Sequence, residues 1–175
     1  MKDTTAAVMA RYLEGEGVEY VFGVPGAHVL PFYDGLYRAT SIKPVLTKHE
    51  AGGAFLAYGY AAATGRLGVC CATVGPGATN AVTGVAAAHM DSVPVLVVTG
   101  QVGTKSFGRS AHQEATGYGR CVDQVALFRN VTKMSVMLTD KEMVSRTVRT
   151  AVRVAQSGRP GPVHLAFPSN IQLEK

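Results

Sequence analysis

One carboxylate and one glycine loop are the groups in this chain whose types and spacing could do chemistry. Glu50 stands in Thr-Lys-His-Glu-Ala-Gly-Gly, residues 47–53, where a strand-like segment meets a long helix of small residues. Residues 75–80, Gly-Pro-Gly-Ala-Thr-Asn, stand where the next strand-like segment meets the next helix. Ligands of open parallel α/β sheets bind beyond the carboxyl ends of the strands, so both groups should face one crevice. The pairing predicts a ligand site.

Each of these two features also has a purely structural interpretation. A glutamate in the first turn of a helix complements the helix dipole, and a glycine loop can be a tight turn. The loop also resembles a dinucleotide fingerprint, but Asn80 replaces its third glycine. The next strand ends without the acid that would hold a ribose, and no Gly-Lys-Ser/Thr of a P-loop follows. A dinucleotide-binding oxidoreductase module therefore stays as an alternative.

The elements that must position these groups alternate along the chain. Strands are predicted at residues 20–24, 44–47, 67–74, 94–99, 131–138 and 162–167. Helices are predicted at residues 4–16, 27–39, 51–63, 79–90, 121–128 and 140–156. Residues 100–119 lack a clear period, and loops of this length are usually functional or disordered. The alternation predicts a three-layer α/β/α fold with an open, mainly parallel six-stranded sheet.

Two of the predicted helices are built mostly from small residues. Residues 51–63 and 81–88 combine alanine with glycine and carry no charged face. Glycine inside a helix costs about 1 kcal/mol relative to alanine, which is easier to bear where backbones approach closely. We expect the sheet and another subunit or domain to bury both helices.

Composition predicts one cytoplasmic domain with no membrane or nucleic-acid partner. Its 175 residues are 47% hydrophobic, which suffices for a core, yet no apolar run reaches the roughly 18 residues that span a membrane. No signal peptide is visible. The net charge of +5 includes Arg146, Arg149 and Arg153 on the solvated face of an amphipathic helix. The three cysteines lack metal-site spacing, so no metal ligands are expected.

Four ordered motifs resemble the N-terminal pyrimidine-binding domain of thiamine-diphosphate enzymes. They are Val-Phe-Gly-Val-Pro-Gly at 21–26, Lys-His-Glu at 48–50, Thr-Val-Gly-Pro-Gly-Ala-Thr-Asn at 73–80 and Pro-Val-Leu-Val-Val-Thr-Gly-Gln at 94–101. Residues 157–168 match the closing strand of that domain. The resemblance covers nearly all of residues 1–175 and points to the acetolactate synthase and benzaldehyde lyase branch. It implies the thiamine-diphosphate-binding fold.

The resemblance implies roles for the residues of the predicted crevice. In the family, the glutamate that matches Glu50 contacts the ring nitrogen N1′ of the cofactor's aminopyrimidine and controls its proton. Pro76 matches a proline that packs on that ring, and Asn80 matches a polar side chain near it. Val24 matches the wall of the same pocket. The residues expected to bind the cofactor are Val24, Glu50, Gly75, Pro76, Gly77 and Asn80.

Two further residues resemble groups on the substrate side of the family's active site. Gln113 resembles the glutamine of the acetolactate synthases' Phe-Gln-Glu motif, although His112 replaces the phenylalanine. His28 resembles the benzaldehyde lyase histidine that lines the substrate pocket and assists proton transfer. A histidine bonded to backbone at a helix start is the structural alternative. The residues expected to be catalytic are Glu50, His28 and Gln113.

The implied activity is decarboxylation or carboligation of 2-oxo acids with thiamine diphosphate. The family holds the diphosphate through Mg²⁺ bound by a Gly-Asp-Gly motif, which this chain lacks. We therefore expect a diphosphate-binding domain from another subunit, in a homodimer or homotetramer, and no activity from this chain alone. Residues 171–175 read like a linker to absent central and diphosphate-binding domains, although a stand-alone subunit also fits. A non-catalytic assembly subunit, and FAD in the full-length protein, stay open.

Overall fold

A computed structural model describes residues 3–175, and these form one sheet of six strands. The strands are β1 Tyr20–Gly23, β2 Lys43–Leu46, β3 Gly68–Ala72, β4 Val95–Gln101, β5 Met134–Met137 and β6 Val163–Pro168. Their order in the sheet is β2-β1-β3-β4-β6-β5, and each neighbouring pair is parallel. The predicted parallel sheet of six strands is confirmed.

Helices cover both faces of the sheet, as predicted. They are α1 Thr5–Gly15, α2 Leu30–Ala39, α3 Glu50–Thr64, α4 Pro76–Met90, α5 Gln124–Arg129, α6 Lys141–Gln156 and α7 Ser169–Leu173. Side chains of α1, α2, α6 and α7 pack in one core cluster, and those of α3, α4 and α5 pack in the other. Strand β4 serves both, because Leu96 points to the first cluster and Val97 to the second.

The amphipathic helix near the end of the chain is confirmed as α6. It buries Val144, Val148 and Ala151, while the side chain of Arg149 stays exposed and lies 5.9 Å from the centroid of the Tyr12 ring. Among residues 3–175, no helix has the length and apolar character needed to cross a bilayer.

Helix α4 begins earlier than the predicted residue 79. Pro76 is its first residue, because proline lacks the N–H that the first helical turn leaves unpaired and its fixed φ suits a helix. The glycine loop is therefore shorter than expected, and residues 73–75 join β3 to the helix.

The interpretation of residues 171–175 as a linker is wrong for residues 171–173. These residues belong to α7, in which Ile171 and Gln172 are buried. The side chain of Gln172 accepts a hydrogen bond from the Phe32 amide at 3.2 Å, and the Thr5 hydroxyl donates to the Ile171 carbonyl. The segment thus packs on α1 and α2, which its short sequence did not indicate.

Candidate functional site

The candidate site lies where the order of the strands reverses. Strand β1 lies between β2 and β3. The chain therefore passes from β1 to β2 on one side of it and then crosses to β3 on the other side. Open α/β sheets bind ligands at such a switch point, beyond the carboxyl ends of the strands. Val24 directly follows β1, Glu50 follows β2 at the start of α3, and Gly75 follows β3. All three residues therefore lie at one edge of the sheet.

The carboxylate of Glu50 faces the first turns of α4. Its Oε2 accepts a hydrogen bond of 2.9 Å from Asn80 Nδ2, and both side chains are half-buried. Its Oε1 lies beside Gly77, where an added Cβ would be 3.2 Å from that oxygen. His49 caps α3, since its Nδ1 accepts from the Ala51 amide at 3.2 Å. Glu50 is thus not the side chain that caps the helix, and within residues 3–175 its Oε1 has no hydrogen-bond donor.

The glycine loop is held by close contacts between backbone segments. Gly75 has φ +64°, which disfavours L side chains, and an added Cβ would lie 2.9 Å from the Gln113 carbonyl oxygen. At Gly77, an added Cβ would lie 2.8 Å from Thr73 Cγ2. Pro76, between these two glycines, is exposed to the crevice edge. Glycine at both positions lets the start of α4 approach Glu50.

Thr73 is a candidate site residue that the sequence interpretation missed. Its hydroxyl is buried and has no hydrogen-bond partner among residues 3–175. The side chain is enclosed by Gly26 and Gly77, where added Cβ atoms would lie 2.6 Å and 2.8 Å from its carbon atoms. A buried hydroxyl without a partner costs about 1–3 kcal/mol, which suits a place where a ligand supplies the partner. A threonine two residues before the glycine loop was the available signal.

His28 lies in a 3₁₀ turn, Ala27–Val29, beside the end of β4. Its backbone carbonyl accepts from Gln172 Nε2 at 2.7 Å, and an added Cβ on Gly100 would lie 2.8 Å from His28 Cβ. The ring nitrogen Nδ1 is buried without a partner among the described residues. Burial lowers the pKa of His28, and the neighbouring His112 lowers it further. A neutral imidazole that can take up a proton therefore stands at this edge.

Gln113 is placed over the glycine loop by the fold of the long connection after β4. Its φ of +63° is unusual for a residue with a side chain. The buried carboxylate of Glu114 fixes this turn by accepting from the amides of Gly108 at 2.5 Å and Ala111 at 3.1 Å. It also accepts from the Thr116 hydroxyl at 2.6 Å, and this bond is the main cause that lowers the pKa of Glu114. The loop predicted as irregular is thus organised around one carboxylate.

The fold brings the sequence-predicted residues to one edge in two groups. Glu50, Gly77 and Asn80 are in direct contact, and Gly75 joins Gln113 to them. His28 lies at the end of β4, while Val24 is half-buried directly after β1. The described part of the chain holds no group of three or more His, Cys, Asp or Glu side chains that could bind a metal ion.

Comparison with protein families gives a match over most of the chain. Residues 3–127 match the family model described as thiamine pyrophosphate enzyme, N-terminal TPP binding domain. The matched range contains all eight residues that the sequence analysis assigned to the site.

Several acetolactate synthase subunits are similar to this chain. A probable acetolactate synthase large subunit of Methanocaldococcus jannaschii is 45% identical over 172 residues, which is 98% of this chain and 27% of the relative. The acetolactate synthase large subunit of Corynebacterium glutamicum is 44% identical over 97% of this chain and 26% of its own length. The acetolactate synthase isozyme 1 large subunit of Escherichia coli is 40% identical over 97% of this chain and 29% of its own length. The chain spans roughly a quarter of the length of these relatives.

Proposed function

The chain belongs to the thiamine pyrophosphate enzyme family through its N-terminal TPP binding domain, and we propose that it forms the pyrimidine-binding half of an acetolactate synthase-like enzyme. Such an enzyme decarboxylates 2-oxo acids, joins them to a second carbonyl compound, or does both. The observation that carries this proposal is the pair formed by Glu50 and Asn80 beside Gly77. The matched relatives do not favour the dinucleotide-binding or non-catalytic alternatives.

The residues of the crevice fit an aminopyrimidine ring. No donor among the described residues reaches Glu50 Oε1, so this oxygen is free to hold the ring nitrogen, and the missing side chain at Gly77 leaves room beside it. The buried Thr73 hydroxyl also lacks a partner among residues 3–175. Pro76 and Val24 would supply the apolar contacts to the ring. Thiamine diphosphate, when bound, supplies the electron sink for cleavage next to the carbonyl group of a 2-oxo acid.

The side chains of this chain would orient the ring and control one proton. Asn80 donates to Glu50 Oε2 and so fixes the plane of the carboxylate. Glu50 Oε1 would then carry or release the proton at the ring nitrogen, which is general acid–base catalysis. His28, neutral because burial lowers its pKa, would take up a proton on the substrate side. Gln113 would contact the substrate from the loop over Gly75.

Another domain would complete the site. We propose that a diphosphate-binding domain holds Mg²⁺ and the diphosphate, and that a homodimer or homotetramer supplies it. Helices α3 and α4 leave apolar side chains exposed in this chain, with Phe55 at 43%, Leu56 at 47% and Met90 at 74% exposure. Such side chains suit a docking face. Binding of FAD would then be a property of domains outside residues 3–175.

Glu50→Gln in a protein that also carries the diphosphate-binding domain tests the proposal. The amide keeps the shape of the side chain but cannot exchange a proton, so exchange of the C2 proton of bound thiamine diphosphate should slow at least about 100-fold. Proton NMR in D₂O measures this exchange, and titration calorimetry measures retention of the cofactor. Glu142→Gln, in the first turn of α6, is the matched control and should leave exchange unchanged. Exchange at the wild-type rate in Glu50→Gln would refute the proposed role.

A further inference from the structure

A line of buried polar side chains, here called the buried polar relay, runs beneath the glycine loop. It consists of Gln124, Thr99 and His164, which are fully buried, and Ser135, which is 9% exposed. Gln124 Nε2 lies 3.2 Å from Thr99 Oγ1, which lies 2.8 Å from His164 Nε2. His164 Nδ1 lies 2.7 Å from Ser135 Oγ. The four residues come from α5, β4, β6 and β5, so the relay joins elements that are distant in sequence.

The direction of every hydrogen bond is fixed from the β5 end of the relay. Ser135 donates its one hydroxyl proton to the Val125 carbonyl at 2.8 Å, because a carbonyl can only accept. Ser135 Oγ must therefore accept from His164 Nδ1–H. Burial lowers the pKa of His164 to about 3, so the ring is neutral and Nε2 carries no proton. His164 Nε2 then accepts the hydroxyl proton of Thr99.

The hydrogen bonds at the Gln124 end of the relay require the same donor and acceptor directions. Gln124 Nε2 donates to the Gly100 carbonyl at 2.9 Å, which orients the amide, and its second proton reaches Thr99 Oγ1. Gln124 Oε1 is left to face the Gly75 amide, which donates to it at 3.4 Å. The two ends agree at Thr99, which accepts from Gln124 and donates to His164. No step in the relay leaves a donor facing a donor.

The Gln124 end of the relay contacts the peptide that directly precedes α4. Gly75 has φ +64° and ψ −113°, and the next residue, Pro76, is the first of the helix. Gly77 and Asn80, which contact Glu50, lie in the first two turns of the helix that follows this peptide. The relay itself does not touch Glu50, so it can influence the crevice only through the Gly75 amide and the end of β4.

We propose that Gln124, oriented by Thr99 and His164, is a positioning residue that holds the Gly75 peptide and so the start of α4 against Glu50. The relay fixes the Gln124 amide with its oxygen toward the glycine loop. Its effect on cofactor binding rests on the function proposed above, whereas its effect on the Gly75 amide does not.

Thr99→Val and Gln124→Met are the test variants, because each removes hydrogen bonds while keeping a similar volume. Hydrogen exchange of the Gly75 amide, measured by NMR on the purified protein, should become at least about tenfold faster in both. The Kd for thiamine diphosphate should rise at least about fivefold. Thr99→Ser keeps the hydroxyl and should restore both values. Thr132→Val is the matched control, since the hydroxyl of this buried threonine donates to the Phe128 carbonyl and takes part in no hydrogen bond of the relay.

Three results would overturn the proposal. One is wild-type exchange of the Gly75 amide in either test variant. Another is equally fast exchange in Thr132→Val, which would make the effect one of general stability. A third is nitrogen NMR of His164 with the proton on Nε2, which would reverse the relay. If a wild-type protein that also carries the diphosphate-binding domain does not bind thiamine diphosphate, the proposed function fails, and the Gly75 exchange and His164 tautomer still decide the positioning role.

Discussion

At the scale of single residues, the two oxygens of Glu50 differ in their surroundings, and the difference determines what the carboxylate can do. Oε2 is held by Asn80, whereas Oε1 faces the space left by Gly77. A carboxylate with both oxygens saturated would be a structural group. A carboxylate with one oxygen held and one free can be aimed at a ligand atom, as general acid–base catalysis requires.

Asn80→Ala should therefore impair the site without removing its carboxylate. A hydrogen bond to a charged group contributes about 1.5–3 kcal/mol, so the Kd for thiamine diphosphate should rise roughly tenfold or more. Titration calorimetry measures the change. Asn130→Ala is the matched control, because that amide bonds the Ala126 carbonyl on the exposed side of α5. An unchanged Kd in Asn80→Ala would show that Glu50 needs no partner to hold its orientation.

The sequence located Glu50 and Asn80 because both sit at strand–helix junctions, which a parallel sheet gathers at one edge. It could not locate Thr73 or Gln124 in the same way. Thr73 became a candidate only through the contacts of Gly26 and Gly77 around it, and Gln124 only through partners 24 to 49 residues away. Such proximity depends on packing between elements, which a local pattern does not encode.

At the scale of elements, the connection after β4 shows how a loop without periodicity becomes ordered. Glu114 orders this segment, because its single carboxylate accepts hydrogen bonds from two backbone amides and one hydroxyl. Gln101, which is fully buried, adds a second anchor by donating to the Ala115 carbonyl at 2.9 Å. The left-handed conformation of Gln113 follows from these anchors on either side of it.

The hydrogen bonds by which Glu114 holds this loop should weaken at low pH. The pKa of Glu114 is lowered, first by the hydrogen bond from Thr116, so the ionised form is favoured by the folded loop. Its contribution is complete above the ordinary glutamate pKa of about 4.3 and is lost as the pH falls through the lowered value. Hydrogen exchange of the Gly108 and Ala111 amides, measured by NMR and corrected for intrinsic rates, should become faster as the pH falls through this lowered pKa.

Glu114→Gln isolates the charge from the shape of the side chain. At pH 7 the variant should show the fast exchange of Gly108 and Ala111 that the wild type shows only in acid. Its protection should change little between pH 7 and pH 3. Glu142→Gln, on α6, should behave as the wild type at these two amides. Equal protection in Glu114→Gln and wild type at pH 7 would contradict the anchoring role.

Element types were predicted better than element ends. The six strands were predictable because apolar runs alternate with helical periods, and the ends of the strands differ from the predicted ends by a few residues. The start of α4 was missed because Gly-Pro-Gly indicates a turn, whereas the proline occupies the first helical position. Helix α7 was missed because its five residues are too few for a periodic pattern.

At the scale of the whole molecule, the crevice provides contacts for one end of a ligand. Its described residues include a carboxylate, an amide and two buried groups without partners, but no cluster that could hold a metal ion. A diphosphate carries several negative charges, which proteins usually bind through a metal ion, basic side chains or a helix N-terminus. This set of groups is consistent with our proposal that another domain holds the diphosphate.

The 175-residue chain expressed alone should therefore bind thiamine diphosphate weakly and turn over no 2-oxo acid. Without the metal and diphosphate contacts, the Kd should be at least about 100-fold higher than for the protein that also carries a diphosphate-binding domain, a difference of about 2.7 kcal/mol. Calorimetry with and without Mg²⁺ measures this difference. Robust decarboxylation by the chain alone would refute the division of the site between two domains.

The position of β6 has a consequence for how the nascent chain folds. It is the last strand in sequence, yet it lies between β4 and β5. During synthesis, β4 and β5 therefore emerge from the ribosome before β6, which lies between them in the sheet. Until β6 emerges, each of the two strands has an edge without its hydrogen-bonding partner. Such edges can pair with other chains, so the interval before residues 163–168 emerge is the stage most open to aggregation. His164 arrives with that strand, so the buried polar relay beneath the glycine loop stays incomplete until β6 joins the sheet.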